Sequence, residues 1–429
     1  MPTYHASWVL PIASPPIRNG WVRIENGRIA AIGDAGDCTK PSAGEHDDVD
    51  PSGAYDHVEP GGEPDRVDLG DVAVMPALVN AHTHLELSWL RGRVPPGDNF
   101  IDWVTAQMRV RLSPLSSADD TTVRAGIQEA LAEMRVSGTG VVGDISNSLV
   151  GLDLLASSGL VGVVFHEILK FNASDPSAFV AKAQTRIGAE PDVPGWQLAL
   201  APHAPYSVAP GIFEAIRDLR QPARTVPTSV HVAESPEEME LLLTGVGGWR
   251  KFLWAMAAWN RDWEVPQSGP IVYLDRMKFW DARTLAVHGV QLSDVELGLL
   301  AARGATLVTC PRSNVYVGVG APPVARFFRS GVRIAIGTDS LASVQDLNLF
   351  SEVAGLHRLA PEVPPSRLLA CATTNGAVAL GLGHEYGTIE AGKRAALLAV
   401  TIPAGASDVE QYLVSGITPD LVQWIESPT

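Results

Sequence analysis

Short apolar runs rich in Val, Ile, Leu and Ala recur along most of the chain, and a stretch with helical spacing follows most of them. The runs are continuous rather than alternating, the pattern of parallel strands buried on both faces. The first is VMPALVNAHTHLELS, 74–88. After a long excursion and a helix from Ser117 to Val136 come TGVVGDIS, LVGVVFHEIL, WQLALAPHAPYS, PTSVHVAES, RTLAVHGV, ATLVTCPRSN and VRIAIGTDS, separated by helical stretches. One of these helices opens on Ser293 and Glu296, the spacing of a capping box, and closes at Gly304. Eight strand–helix units in succession predict an α/β fold, a (β/α)8 TIM barrel.

The chain ends have a different rhythm. Residues 20–33 read as two strands around Asn26-Gly27, a hairpin turn dipeptide. After Gly387 β character returns in GTIEAGKRAALLAVTIP. These ends predict a small β-sandwich domain built from 1–73 and 386–429, around a catalytic barrel at 74–385. Between the hairpin and the barrel, 34–71 is a loop rich in Asp, Gly and Pro, whose His46 and His57 read as part of a solvated acidic surface. The insertion at 245–280 carries Trp249, Trp254, Trp259 and Trp263. Packing of the insertion on itself is the expected role, and an aromatic lid the alternative.

Composition narrows the partners. The chain has 429 residues, 46% of them apolar, and a formal charge of −16, which argues against a nucleic-acid backbone as ligand but not against a small nucleoside. Cys38, Cys310 and Cys371 are odd in number and widely spaced, so a disulfide framework is not expected. The first twenty residues lack a basic stretch before their apolar positions, and no run reaches the ~18 apolar residues of a membrane span. The expectation is a cytoplasmic protein with no membrane partner, a homo-oligomer being left open.

Candidate chemistry sits where barrel strands end, the location of functional side chains in this architecture. His82 and His84 close the first run, and side chains two apart on a strand share a face. His203 follows LALAP, His231 follows PTSV with Glu234 three residues on, His288 follows LAV, and Asp339 follows IAIGT. A lone histidine there reads as a satisfied core residue. Five with an aspartate supply the imidazoles and carboxylate of a transition-metal site. Other motifs fail: His166-Glu167 starts like HExxH but Lys170 stands at the second histidine, His84-Leu85-Glu86 lacks a PCxxC partner, and no Walker loop is present.

HTH after PALVN, HVAES, VHG and GTDS, in this order, resemble the amidohydrolase superfamily over nearly the whole chain, as does the tail TTNGAVALGL…GTIEAGKRAAL. The resemblance is to its branch of single-metal nucleoside deaminases, adenosylhomocysteine deaminase among them. TDSLASVQDLNLFSEV, CPRSN and the Trp-rich stretch are similar to the aminodeoxyfutalosine deaminases of menaquinone biosynthesis. It implies one divalent ion, zinc with iron or manganese as alternatives, on His82, His84, His231 and Asp339. It makes Glu234 the proton shuttle, His288 the neighbour of the nucleophilic water, and His203 and Ser343 substrate contacts. Asp339 would also receive the water's proton. No lysine stands where two-metal members carry their bridge. Ala77 and Ala396 depart from the family's usual Gly and Asp outside the chemistry. Glu86 and Ser146 are candidates for ribose or base, with loop capping the alternative, and Arg312 for the substrate's carboxylate. Another hydrolase on the same scaffold, or a non-catalytic metal-binding protein, are the competing expectations.

Overall fold

A computed structural model describes residues 2–34, 65–113, 119–220 and 226–425. His46, His57, Cys38 and most of the acidic loop lie outside them. The chain opens with β1 (Thr3–Val9), β2 (Ile17–Glu25) and β3 (Arg28–Asp34). The expected hairpin joins β2 to β3 antiparallel. Asn26 and Gly27 both take positive φ, +51° and +71°, as a two-residue turn matching strand twist requires. β4 (Arg66–Asp68) and β5 (Val72–Pro76) follow.

Eight strands then alternate with helices: β6 (Leu78–Thr83), β7 (Thr139–Ser146), β8 (Val161–Ile168), β9 (Trp196–Pro202), β10 (Thr228–Val232), β11 (Thr284–His288), β12 (Thr306–Thr309) and β13 (Arg333–Ile336). All pair in parallel, in two four-stranded sheets ordered β6-β7-β8-β9 and β10-β11-β12-β13. The sheets touch at both edges. Thr83 of β6 bridges in parallel to Asp339 beyond β13, and the His231 amide on β10 donates to the His203 carbonyl beyond β9 at 2.8 Å. β14 (Leu397–Thr401) and β15 (Val422–Ile425) complete the strands.

One finding revises the opening run. The stretch that reads as a single strand is two, β5 and β6, in different sheets with only Ala77 between them. β5 pairs with β1 and β14, whereas β6 pairs with β7. Both halves are apolar and buried, so hydrophobicity alone carries no sign of the break. The expected sandwich strands likewise lie in one seven-stranded sheet, ordered β15-β14-β5-β1-β2-β3 with β4 on β1. One face holds its own apolar cluster, including Val22, Ile24 and Val74. Ala73, Met75 and Leu398 on the other join the main core.

Helix starts follow the local chemistry. Asp119, Asp175, Ser235 and Asn348 each cap a helix with a side-chain acceptor, and the Ser293–Glu296 box is formed in full with Gly304 left-handed at its end. Each cap contributes about 1 kcal/mol. Two core clusters divide the strand residues by parity. Val163 and Phe165 of β8, Ala199 and Ala201 of β9, and Leu285 and Val287 of β11 share one cluster. Val164, Leu200 and Ala286 belong to the other. The first row, extended past the carboxyl ends of β8, β9 and β13, reaches Glu167, His203 and Asp339, whereas His82, His84 and His288 lie on the other row of their strands.

Candidate metal and catalytic site

The polar residues at the strand ends converge. His84 Nε2 stands 3.4 Å from His231 Nε2 and 3.5 Å from Asp339 Oδ1, and His82 Nε2 is 3.9 Å from the same oxygen. Donors about 2.0–2.2 Å from one ion at tetrahedral angles stand about 3.3–3.6 Å apart, so the His84–His231 and His84–Asp339 spacings fit a common divalent ion and the His82–Asp339 spacing is slightly wider. A second observation agrees. His82 is fully buried, yet neither of its ring nitrogens has a hydrogen-bond partner, an expensive arrangement unless a nitrogen serves a metal. Burial first, then the neighbouring imidazoles, holds His82 and His84 well below the usual histidine pKa, which keeps their lone pairs available.

Supporting contacts aim these groups. The His231 Nδ1–H donates to the His203 carbonyl oxygen at 2.9 Å, turning Nε2 toward His84. Asp339 Oδ2 accepts from Ser313 Oγ at 2.5 Å and from Ser343 Oγ at 3.3 Å, leaving Oδ1 for the histidines. Its pKa is pushed up to about 6 by burial, against the pull of those hydroxyls. Gly337 lets β13 approach: a Cβ there would meet the His82 carbonyl oxygen at 2.5 Å.

Glu234 Oε1 lies 3.6 Å from His288 Nε2. Burial, then the charges of Asp339 and Glu238, raises the Glu234 pKa well above its ordinary value, the direction a proton donor requires. Its own amide donates to Glu238 Oε2 at 3.1 Å. His288 Nδ1 faces the Asn314 amide nitrogen at 3.0 Å. Three non-glycine residues at these strand ends, Ala233 (φ +50°), His288 (+75°) and Asp339 (+60°), sit in the left-handed region. Such strain persists where surrounding contacts enforce it and gathers at working sites.

The remaining predicted contacts divide. His203 stands beside His231, ring centroids 4.8 Å apart, with Nδ1 against Ser207 Oγ at 2.5 Å. Ser343, expected as a substrate contact, has its fully buried hydroxyl against Asp339 and Ser313. Glu86 spends its carboxylate on the turn after β7, accepting from the amides of Asn147, Ser148 and Leu149 and the hydroxyls of Ser146 and Ser148, so Glu86 and Ser146 cap a loop. Arg312 is held by Glu352 at 2.7 Å and Asp346 at 2.8 Å, an internal network that leaves its guanidinium no free edge. Ser313 and Asn314 were not singled out from sequence, although CPRSN contains both. Arg111 was also missed; its charge is felt at His84 and Glu167. Trp249 stacks on Tyr206 at 4.1 Å, and Tyr206 meets His203 edge-on, so the insertion packs directly behind the site.

A histidine-rich centre with a buried acid, at the carboxyl ends of parallel strands, defines a metal-dependent hydrolase class. The chain belongs to the Amidohydrolase family, whose model matches residues 73–421. It is 30% identical to aminodeoxyfutalosine deaminase of Deinococcus radiodurans over 317 residues, 72% of this chain and 73% of that one. It is 28% identical to 5-methylthioadenosine/S-adenosylhomocysteine deaminase of Moorella thermoacetica over 428 residues, 95% and 88% of the two chains. A zinc-bound adenosine deaminase from Xanthomonas campestris superposes with TM-score 0.77 at 28% identity, covering 98% of this chain and 90% of that one. Among the described residues no helix is long and apolar enough to cross a membrane, and Cys310 and Cys371 are free and buried.

Proposed function

We propose that this hydrolase deaminates an adenine nucleoside, and that its substrate is 6-amino-6-deoxyfutalosine, giving futalosine and ammonia. The two parallel sheets are then halves of one (β/α)8 barrel at 74–385, with the end-built β domain beside it. The observation that carries the deaminase reading is Glu234: a buried carboxylic acid 3.6 Å from His288 and next to three convergent imidazoles. His82, His84, His231 and Asp339 would hold the ion, zinc by analogy with the Xanthomonas protein. When bound, such an ion supplies the Lewis acidity that makes water nucleophilic near neutral pH.

The residues divide the proton work. Glu234 protonates the ring nitrogen beside the reacting carbon while Asp339 takes one proton from the attacking water. His288 holds that water in line. The new hydroxyl returns its proton to Glu234, Asp339 passes its own to the amino group, and ammonia leaves. Two water protons thus end on ring nitrogen and ammonia, and both carboxyl groups regain their starting states. With Arg312 internally paired, we assign the substrate's carboxylate to Arg111, whose charge reaches His84 and Glu167.

The Moorella relative spans more of the chain than the Deinococcus one, which keeps methylthioadenosine or adenosylhomocysteine as the second reading. Metal analysis with ammonia release separates the two. The test set is aminodeoxyfutalosine, methylthioadenosine, adenosylhomocysteine and adenosine, with guanine, cytosine and formiminoglutamate as controls. Highest kcat/KM on aminodeoxyfutalosine is expected. Faster turnover of methylthioadenosine overturns the substrate assignment alone, and release from guanine or formiminoglutamate but no adenine nucleoside overturns the deaminase class proposed.

A further inference from the structure

Glu167 is a buried carboxylate that the chemistry above leaves without work. It extends the row Val163, Phe165 on β8, just as His203 extends Ala199, Ala201 on β9. Its side chain is only 5% exposed. Oε2 accepts from the Asn147 amide at 2.8 Å, but Oε1 has no hydrogen-bond partner. A buried carboxylate oxygen is not left bare without cost, so a donor belongs there.

The neighbours limit what that donor is. His231 Nδ1 lies 3.7 Å from Oε1, but its proton is already given to the His203 carbonyl at 2.9 Å. Glu167 is therefore not the carboxylate that orients this histidine. For the same reason a second cation is disfavoured. Glu167, His203 and His231 have ligand-type atoms within 4.8 Å of one another, yet the His231 nitrogen on this side carries a proton and has no lone pair to offer. Glu167 also sits behind the His231 ring, at the edge opposite the Nε2 that meets His84. It faces the site from the Nδ1 side of that ring.

Burial raises the Glu167 pKa, but His231, the Asn147 hydrogen bond and the Arg111 charge pull against it, and an ionised carboxylate only accepts. In an adenine nucleoside the donors away from the reacting carbon are the sugar hydroxyls, since the exocyclic amino group is the one that leaves. We propose that Glu167, with one oxygen fixed by Asn147 and with His203 beside it, accepts a sugar hydroxyl and selects ribonucleosides over deoxynucleosides. This rests on the nucleoside reading above.

The test compares adenosine with its 2′-deoxy, 3′-deoxy and 2′,3′-dideoxy analogues, on the metal-loaded wild-type enzyme and on Glu167→Gln, with metal content measured for both. In the wild type, removing the engaged hydroxyl lowers kcat/KM by about ten- to a hundredfold, as when a site built for a hydrogen bond meets an analogue lacking it. Glu167→Gln lowers adenosine turnover by a similar factor, changes dideoxyadenosine by less than about threefold, and keeps its metal. Equal wild-type turnover of adenosine and dideoxyadenosine overturns the proposal, even where the variant does not fold. So does a variant that loses metal or loses activity equally on all four compounds. Absence of turnover of every adenine nucleoside by the wild type is a different failure, since it removes the nucleoside reading itself and this inference with it.

Discussion

Ser313→Ala removes the shortest contact of Asp339, and the consequence is calculable. Ser313 Oγ, itself fully buried, donates to Oδ2 at 2.5 Å, and the remaining serine is at 3.3 Å. A hydrogen bond to a charged group contributes about 1.5–3 kcal/mol, which is about one to two pKa units. Burial already holds Asp339 at about 6, so losing that donor moves it to roughly 7–8. A metal needs the ionised carboxylate, so protonation alone weakens binding about two- to tenfold at pH 7 and leaves no penalty near pH 9. Misorientation of the freed carboxylate adds to this, for a total loss of about ten- to a hundredfold at pH 7. Chelator competition at pH 7 and pH 9, on wild type and variant, reads both parts. Unchanged affinity at pH 7 refutes the reasoning, and a loss of equal size at both pH values refutes its electrostatic half.

Three further outcomes are expected. Glu234→Gln keeps the metal and the fold but loses about two to four orders of magnitude in kcat, and wild-type activity falls on the alkaline side as the raised Glu234 carboxyl ionises; full turnover by the amide would remove this residue from the mechanism. Arg111→Gln raises KM for carboxylate-bearing adenine nucleosides about tenfold and leaves uncharged adenosine within about twofold, which steady-state kinetics on the pair would decide. His203 is held at about 4 by burial, below its ordinary 6.5, so the unfolded chain takes up its proton first as pH falls. The stability that neutral His203 contributes is complete above 6.5 and is lost progressively toward 4; a melting midpoint of the metal-free protein that stays level across that window would show that burial is not setting its charge.

The residues that converge on the candidate site were legible because they depend on local pattern. His82 and His84 share a strand, His231 and Glu234 straddle a strand–helix junction, and Asp339 follows a short apolar run, so each is visible as a polar residue ending a buried strand. Helix starts were legible for the same reason, Ser293 and Glu296 being three apart. What escaped depends on which distant groups meet. Arg312 looks like a free cation until Asp346 and Glu352 are brought to it. Ser343 reads as a substrate contact and Ser313 as an ordinary small polar residue until both point at one carboxylate. Glu167 was passed over because the sequence offered it only as half of a failed zinc-protease motif, and its unmatched oxygen exists only in three dimensions. The division of the first apolar run into β5 and β6 was illegible too, since both sheets bury it equally.

That division has a mechanical consequence. With Ala77 alone between them, β5 hands directly on to the strand bearing His82 and His84, and no loop takes up slack. The far side of β5 is gripped by β1 and β14, drawn from opposite ends of the chain, and β15 buttresses β14. Trp424 on β15 in turn donates to the Arg135 carbonyl at 2.7 Å, fastening this anchorage to the helix that precedes β7. Half of the candidate ligands therefore hang from a fixture assembled only when head and tail are both in place. Strain applied at either end of the protein passes along β5 to His82 and His84 rather than stopping in a tail.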